Sequence, residues 1–268
     1  MKINDYFFNL SLRCNACGKE NNSGYFCDSC KEILPFNNVY CGKCGRSTIN
    51  KEDFCNSCQG QELHFEKARS AFKYLEPISV MIQRLKYRGK RYYSRIFSII
   101  LAYYLLTDFA DTDVLINVPM HKKDKFIRGY NQTEYLAREL SKITGVNYKN
   151  NVFKKEIRTP RQATLNKEER KKNLKNAYKI LDKNAIKGKV VTIVDDIITT
   201  GSTVETLAEK LKKAKAKKVY VLTIASVGER EAFERVYKKN FIDLLKKLFF
   251  FDKIFQKRYR HNQKNIVK

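Results

Sequence analysis

Nowhere in the 268 residues is there an apolar run of about 18 or more, so no segment reads as a membrane-spanning helix. The opening residues, Met1-Lys2-Ile3-Asn4-Asp5, lack the charged-then-apolar layout of a secretory signal. A cytoplasmic location is the expectation. Acids are scarce as well: 28 Asp and Glu stand against 54 Lys and Arg, a formal net charge of +26. One reading of that excess is a solvated basic surface. The other is anionic partners, with nucleic acid, phosphorylated small molecules and anionic lipid all admissible. The chain also lacks cysteine beyond Cys58. What it does have is 43% hydrophobic residues, enough to exclude chain-wide disorder and to build one substantial core plus a smaller module.

All eight cysteines fall between Cys14 and Cys58, as four Cys-x-x-Cys pairs. In a cytoplasmic chain such clustering points to metal rather than to disulfides. Cys14/Cys17 and Cys27/Cys30 enclose nine residues, and Cys41/Cys44 and Cys55/Cys58 enclose ten, so one unit is used twice. A Cys-x-x-Cys turn sets two thiolates on one side of a metal, and two such turns complete a tetrahedron. Eight thiols therefore suit two structural zinc ions. Sequential pairing is the economical arrangement, and interleaved pairing stays open. Four sulfur ligands leave no open position for catalysis; redox or iron–sulfur use is the alternative. Residues 1–64 hold too few large apolar side chains to build a core unaided, so metal would supply folding energy. The same module offers a surface to nucleic acid.

From about Ala68 the texture changes. Alternation through Ala68–Tyr74 predicts a strand, and Ile78, Met81, Ile82 and Leu85 recur at helical spacing behind Pro77. A second helical stretch covers roughly Ser94–Leu106. Asp113–Pro119 and Val190–Val194 read as buried strands, and Val219–Ala225 as a third. Asn131 is placed to cap a helix carrying Tyr135, Leu136, Leu140 and Ile143, closed by Gly145. Strands separated by helices predict an α/β parallel sheet with helices on both faces, and such sheets bind ligands beyond the carboxyl ends of their strands. The expected division is residues 1–64 for the cysteine module, 65–228 for the α/β domain and 229–268 for a basic, amphipathic extension.

Val190–Thr203 is the most informative stretch. A buried strand ends in Asp195-Asp196, followed by Ile197-Ile198-Thr199-Thr200-Gly201-Ser202-Thr203 and then a helix. Backbone N–H groups and hydroxyls at a helix N-terminus surround a phosphate well, and the helix dipole adds attraction. Two carboxylates beside an anion site would be self-defeating unless their target is different. Ribose hydroxyls, which donate hydrogen bonds and can carry Mg²⁺, are a suitable one. A plain β-turn-α connection with Asp and Thr caps is the alternative, although two acids and four hydroxyls exceed what capping needs. The loop is neither a P-loop, which requires Gly-Lys-Ser/Thr, nor a Gly-x-Gly-x-x-Gly dinucleotide turn.

This pattern resembles the 5-phosphoribosyl-1-pyrophosphate (PRPP) motif of type I phosphoribosyltransferases. Leu85–Gly89, Val118–Met120, Arg128–Gln132, Arg158–Gln162 and Glu169–Asn173, together with the cysteine module, narrow the resemblance to the ComF family of bacterial natural competence. It spans about Cys14–Ala225. The resemblance implies a type I phosphoribosyltransferase-like sheet behind an N-terminal double zinc ribbon. It implies PRPP, carried with Mg²⁺, or a related phosphoribosyl ligand. Asp195 and Asp196 would hold the ribose diol, and Thr199, Thr200, Gly201, Ser202 and Thr203 the 5-phosphate. The loop after Pro119, with His121, Lys122 and Lys123, would face the pyrophosphate, with Arg128 a further anion contact. Arg158–Asn173, including Arg161, corresponds to a flap over the site. Each of those lysines is, taken singly, as well read as solvated surface.

Two functions follow, and they are compatible. One is handling of single-stranded DNA in natural transformation, with partners among the uptake proteins, a competence helicase included. The other is transfer of phosphoribose from PRPP to a small nucleophile. For the first, Tyr87, Tyr92 and Tyr93 lie among Lys86, Arg88, Lys90, Arg91 and Arg95, an interleaving suited to stacking bases and neutralising phosphates. Ordinary amphipathic tyrosines at a helix end are the plain alternative. In the extension, Phe241, Leu244, Leu245, Leu248 and Phe255 can share a helical face. That face would dock on the large domain, or else meet an anionic membrane surface or a partner protein.

Overall fold

In the computed structural model, which describes residues 13–22, 24–48, 54–158 and 176–228, the central sheet is parallel throughout. In chain order the strands are β1 (Lys67–Lys73), β2 (Val114–Asn117), β3 (Asn147–Tyr148), β4 (Phe153–Lys155), β5 (Tyr178–Ile180), β6 (Val190–Ile198) and β7 (Lys218–Ser226). The helices are α1 (Asp28–Ile33), α2 (Ile78–Tyr87), α3 (Tyr93–Asp108), α4 (Lys122–Arg128), α5 (Gln132–Thr144) and α6 (Ser202–Lys213). Five strands form the sheet in the order β1-β7-β6-β2-β3, while β4 and β5 pair antiparallel by themselves. Among the described residues no helix is long and apolar enough to cross a membrane. The expected flap with Arg161 and the 229–268 extension lie outside the described residues.

The apolar patterns sort the helices onto the two faces. Ile78, Leu85, Phe97, Leu101, Leu136 and Leu140 bury α2, α3 and α5 in one cluster with Leu222 and Ile224. Val204, Leu207 and Leu211 bury α6 in a second cluster with Val191, Ile193 and Val221. At about 25 cal/mol per Å² of apolar surface, such burial is the main force holding the layers together. Helix ends follow their residues: the Asn131 side chain accepts from Thr133 N at the start of α5, and Gly145 closes it in the left-handed region. Strand β6 runs four residues beyond the expected Val194, because its ladder to β7 continues through the two acids to Ile198↔Ser226.

Alternation in β1 predicts a half-buried strand, yet Ala68 through Lys73 are all buried. The cysteine module covers it. As the edge strand of the sheet, β1 presents backbone groups that the module takes up: Asn37 N donates to Ala71 O at 2.9 Å, Lys73 N to Pro35 O at 2.7 Å and Ala68 N to Lys43 O at 2.8 Å. The first cysteine tetrad packs into the α2/α3/α5 cluster and the second into the α6 cluster, so the module straddles the sheet edge. Arg69 is buried in that junction, its guanidinium 3.5 Å from the Tyr40 ring centroid and donating to Asn37 O at 3.0 Å.

Candidate functional site

A cavity of about 440 Å³ opens at the carboxyl ends of β2 and β6, where a parallel sheet is expected to bind. Its floor is the acidic pair that ends the buried run of β6. Asp196 is buried and held from two sides: Lys86 Nζ lies 2.7 Å from Oδ1, and Gln132 Nε2 donates to Oδ2. Arg128 in turn donates to Gln132 Oε1. Asp195 accepts from the Asp196 backbone N–H at 2.8 Å. Burial, reinforced by the neighbouring Asp196 charge, raises the Asp195 carboxyl to about 8, against the lowering influence of that N–H bond and of Lys86. On the roof side, Lys155 of β4 and Tyr178 of β5 face the acids. Burial pushes the Lys155 ammonium down, and burial with the Asp195 charge pushes Tyr178 up to about 12.

The loop after β2 is fixed by its carbonyl. Val118 O accepts from Asn131 Nδ2 at 3.0 Å and from Thr133 Oγ1 at 2.7 Å, which sets Pro119, Met120 and His121 along the cavity wall. His121 serves as the cap of α4, its Nδ1 accepting from Lys123 N at 3.2 Å. Arg128 lines the cavity, whereas Lys122 and Lys123 are exposed outside its lining. Across the cavity, Thr203 is the one residue of the Thr199–Thr203 loop that reaches the lining. Thr200 and Ser202 pair through their hydroxyls at 2.9 Å at the entrance of α6. Gly201, which starts that helix, has φ +78°, and an added Cβ would meet only Ile198 Cδ1 at 3.8 Å. Backbone conformation, and not crowding by a neighbour, is what requires glycine there.

The residues assigned by sequence to DNA divide. Lys86 lines the cavity, its ammonium sitting on Asp196. Tyr87 and Arg88 are exposed at the end of α2, with Arg128 stacked 4.9 Å from the Tyr87 ring centroid. Arg91 is exposed yet stacks over Tyr130 and Tyr135. Tyr93 is buried, while Tyr92 remains exposed. Sequence reasoning passed over Lys155 and Tyr178, which come from short strands in polar surroundings and reach the acids only through the β4/β5 pair.

Sulfur atoms of Cys14, Cys17, Cys27 and Cys30 lie within 4.8 Å of one another, as do those of Cys41, Cys44, Cys55 and Cys58. The pairing is sequential. The donor chemistry fits zinc. In the second set, hydrogen bonding from Cys44 against the cost of burial brings Cys41 down to about 4, while Cys44 is pushed up and Cys58 rises to about 12. Four clustered sulfurs of this kind match the tetrahedral thiolate set of a structural zinc ion. Backbone N–H groups already point at the sulfurs, Cys27 N at Cys14 and Cys55 N at Cys41, each at 3.3 Å. Arg46 joins this centre to the cavity loop. Its Nε donates to Cys44 Sγ at 3.4 Å and its NH2 to Cys55 Sγ at 3.5 Å, while NH1 reaches Thr199 O at 3.4 Å.

Comparison with known proteins agrees with both halves. Residues 134–255 match the phosphoribosyl transferase domain family, and residues 7–59 the double zinc ribbon domain. Competence protein F of Haemophilus influenzae is 32% identical over 74% of this chain and 89% of its own. DNA utilization protein YhgH of Escherichia coli K12 is 26% identical over 73% of this chain and 87% of its own. A ribose-phosphate pyrophosphokinase of Thermococcus kodakarensis is 53% identical over 51 residues, 19% of this chain and 18% of that protein.

Proposed function

Since the chain belongs to the competence protein F (ComF) family, we propose that its phosphoribosyltransferase-type cavity binds PRPP or a related phosphoribosyl ligand and that the protein handles single-stranded DNA in natural transformation. One observation carries the ligand half: Asp195, Asp196 and Thr203 line a single cavity, with the hydroxyl loop at the N-terminus of α6 beside it. The acids take the ribose hydroxyls, and Thr199, Thr200, Gly201, Ser202 and Thr203 take the 5-phosphate with the first-turn N–H groups of α6. Arg128 and Lys155 face the diphosphate, with the exposed Lys122 and Lys123 beyond the lining. Mg²⁺ bound with such a ligand would neutralise diphosphate charge. Lys86 holds Asp196 and must share it when a ribose hydroxyl arrives. A cavity lined by both acids and bases suits a ligand that carries hydroxyls and phosphates together.

The DNA half draws on the +26 charge, the exposed Tyr87-Arg88 and Arg91-Tyr92 around the turn from α2 to α3, and the relatives' names. The labour then divides between the zinc module with that turn and the cavity of residues 65–228. Calorimetric titration with PRPP–Mg²⁺ tests the ligand half, run on the wild type and on Asp195→Asn/Asp196→Asn. Binding by the wild type that weakens at least tenfold in the variant is expected. Equal affinity in the two proteins would remove the acids from the site. Pyrophosphate release in the presence of candidate bases and amines would favour phosphoribosyl transfer, and its absence beside tight binding a ligand-gated DNA protein.

A further inference from the structure

A second cavity, of about 510 Å³, lies between the first zinc ribbon and the start of α3. Arg13 and Tyr25 form one wall, and Arg84, Tyr92 and Arg95 the other. Among the described residues that line it there is no carboxylate. Three arginines, Arg13, Arg84 and Arg95, line it together with Cys14 of the first tetrad. The two walls are held in register by the buried Tyr93, whose hydroxyl donates to Asn15 O at 3.2 Å and accepts from Arg84 NH1 at 3.3 Å. Asn15 is itself fixed in the ribbon, donating through Nδ2 to Tyr25 O at 2.8 Å. Tyr92 lies against Tyr93, ring centroids 4.4 Å apart, and keeps 51% of its surface exposed.

We propose that this second cavity is a nucleotide notch for single-stranded DNA, in which Arg13, Arg84 and Arg95 take backbone phosphate and Tyr92 stacks on a base. The inference rests on the single-strand reading given above and adds the place. Its volume falls within the range of about 300–1,000 Å³ usual for small-ligand sites, so it admits one nucleotide and not a duplex. A duplex also keeps its base faces stacked inside, whereas a single strand offers them to an aromatic ring. Guanidinium groups match phosphate geometry, and an aromatic face accepts any base, so the notch reads no sequence. Helix α2 divides this site from the phosphoribosyl cavity. Arg84 and Lys86 are two residues apart, about 200° around the helix, and each lines a different cavity. A strand leaving the notch meets the exposed Tyr87 and Arg88 at the end of α2.

The experiment is fluorescence anisotropy of the full chain with a labelled oligo-dT and with a blunt duplex, zinc content and thermal midpoint being recorded for every variant. Tyr92→Ala should weaken oligo-dT binding about tenfold, and Tyr92→Phe, which keeps the ring, should stay within about twofold. Arg84→Gln/Arg95→Gln should flatten the dependence of log affinity on log salt by about 0.7 for each phosphate that the variant no longer neutralises. Lys149→Gln, which removes one charge beyond the opposite sheet edge, should change binding less than about twofold. Wild-type affinity in Tyr92→Ala and in the double arginine variant, with zinc retained, overturns the notch while leaving single-strand binding intact. An effect of Lys149→Gln as large as theirs overturns it too, by assigning the loss to net charge. A wild type that binds no oligo-dT overturns the single-strand reading itself, and the notch with it.

Discussion

A carboxylic acid whose pKa stands near 8 in the folded chain is a liability to folding at neutral pH. Asp195 is such a group. Its usual value is near 3.8, so between pH 4 and 8 the native state keeps a proton that the unfolded chain releases. The contribution of this residue to stability is therefore full below about pH 4 and is lost as pH rises through the folded value near 8. Asp195→Asn removes that dependence. The thermal midpoint of the variant relative to wild type should rise from pH 5 to pH 8, by about 2–4 °C for each kcal/mol recovered. Differential scanning calorimetry at the two pH values decides it, and a constant offset would refute the shift.

At the scale of elements, three neighbouring residues of the second zinc ribbon make three different junctions. Gly45 approaches β1 so closely that an added Cβ would lie 2.6 Å from Ala68 O. Ser47 donates to Asn37 Oδ1 at 2.8 Å and its backbone N–H meets Ser226 Oγ at 3.3 Å, tying the ribbon to the end of β7. Arg46 sits between them and spans from the Cys44 and Cys55 sulfurs to Thr199 O. The Cys44 and Cys55 sulfurs thus hold the side chain that meets the loop before α6. Arg46→Met should leave two zinc ions per chain, lower amide-exchange protection across Thr199–Thr203 and weaken PRPP binding about three- to tenfold, the cost of removing a charged hydrogen bond at a partly exposed site. Unchanged exchange in that loop would show that Arg46 does not hold it.

Across the whole molecule, the zinc module is a structural cover as much as an appendage. It closes the sheet edge formed by β1, and its cysteines sit in both buried clusters. Stripping the metal should therefore reach beyond the module. With a strong chelator under reducing conditions, loss of two zinc ions is expected to lower the thermal midpoint of the whole chain and to promote aggregation through the uncovered edge. An unchanged main transition after verified zinc loss would mean that the α/β layers stand alone. The +26 charge acts at this scale too, drawing polyanions to the surface before any specific contact forms.

The two cysteine sets and the strand-to-helix run of Val190–Thr203 were legible in the sequence by itself, because both are local. A Cys-x-x-Cys turn brings its own sulfurs together, and Val190–Thr203 carries strand, acids, hydroxyls and helix start in a single run. The sequence also determined the layer order, through apolar runs alternating with amphipathic periods and through the Asn131 and Gly145 caps. Tertiary structure decided the rest. Lys86 reads as one cation among several in a basic run, and only the tertiary fold sets it on Asp196. Lys155 and Tyr178 enter the site from a strand pair too short to leave a pattern. Arg46 meets Thr199 across 153 residues of chain, and β1 is buried because a separate module lies on it. Short-range spacing fixes which groups can act. Long-range contact fixes which of them meet, and that information is spread over the whole fold.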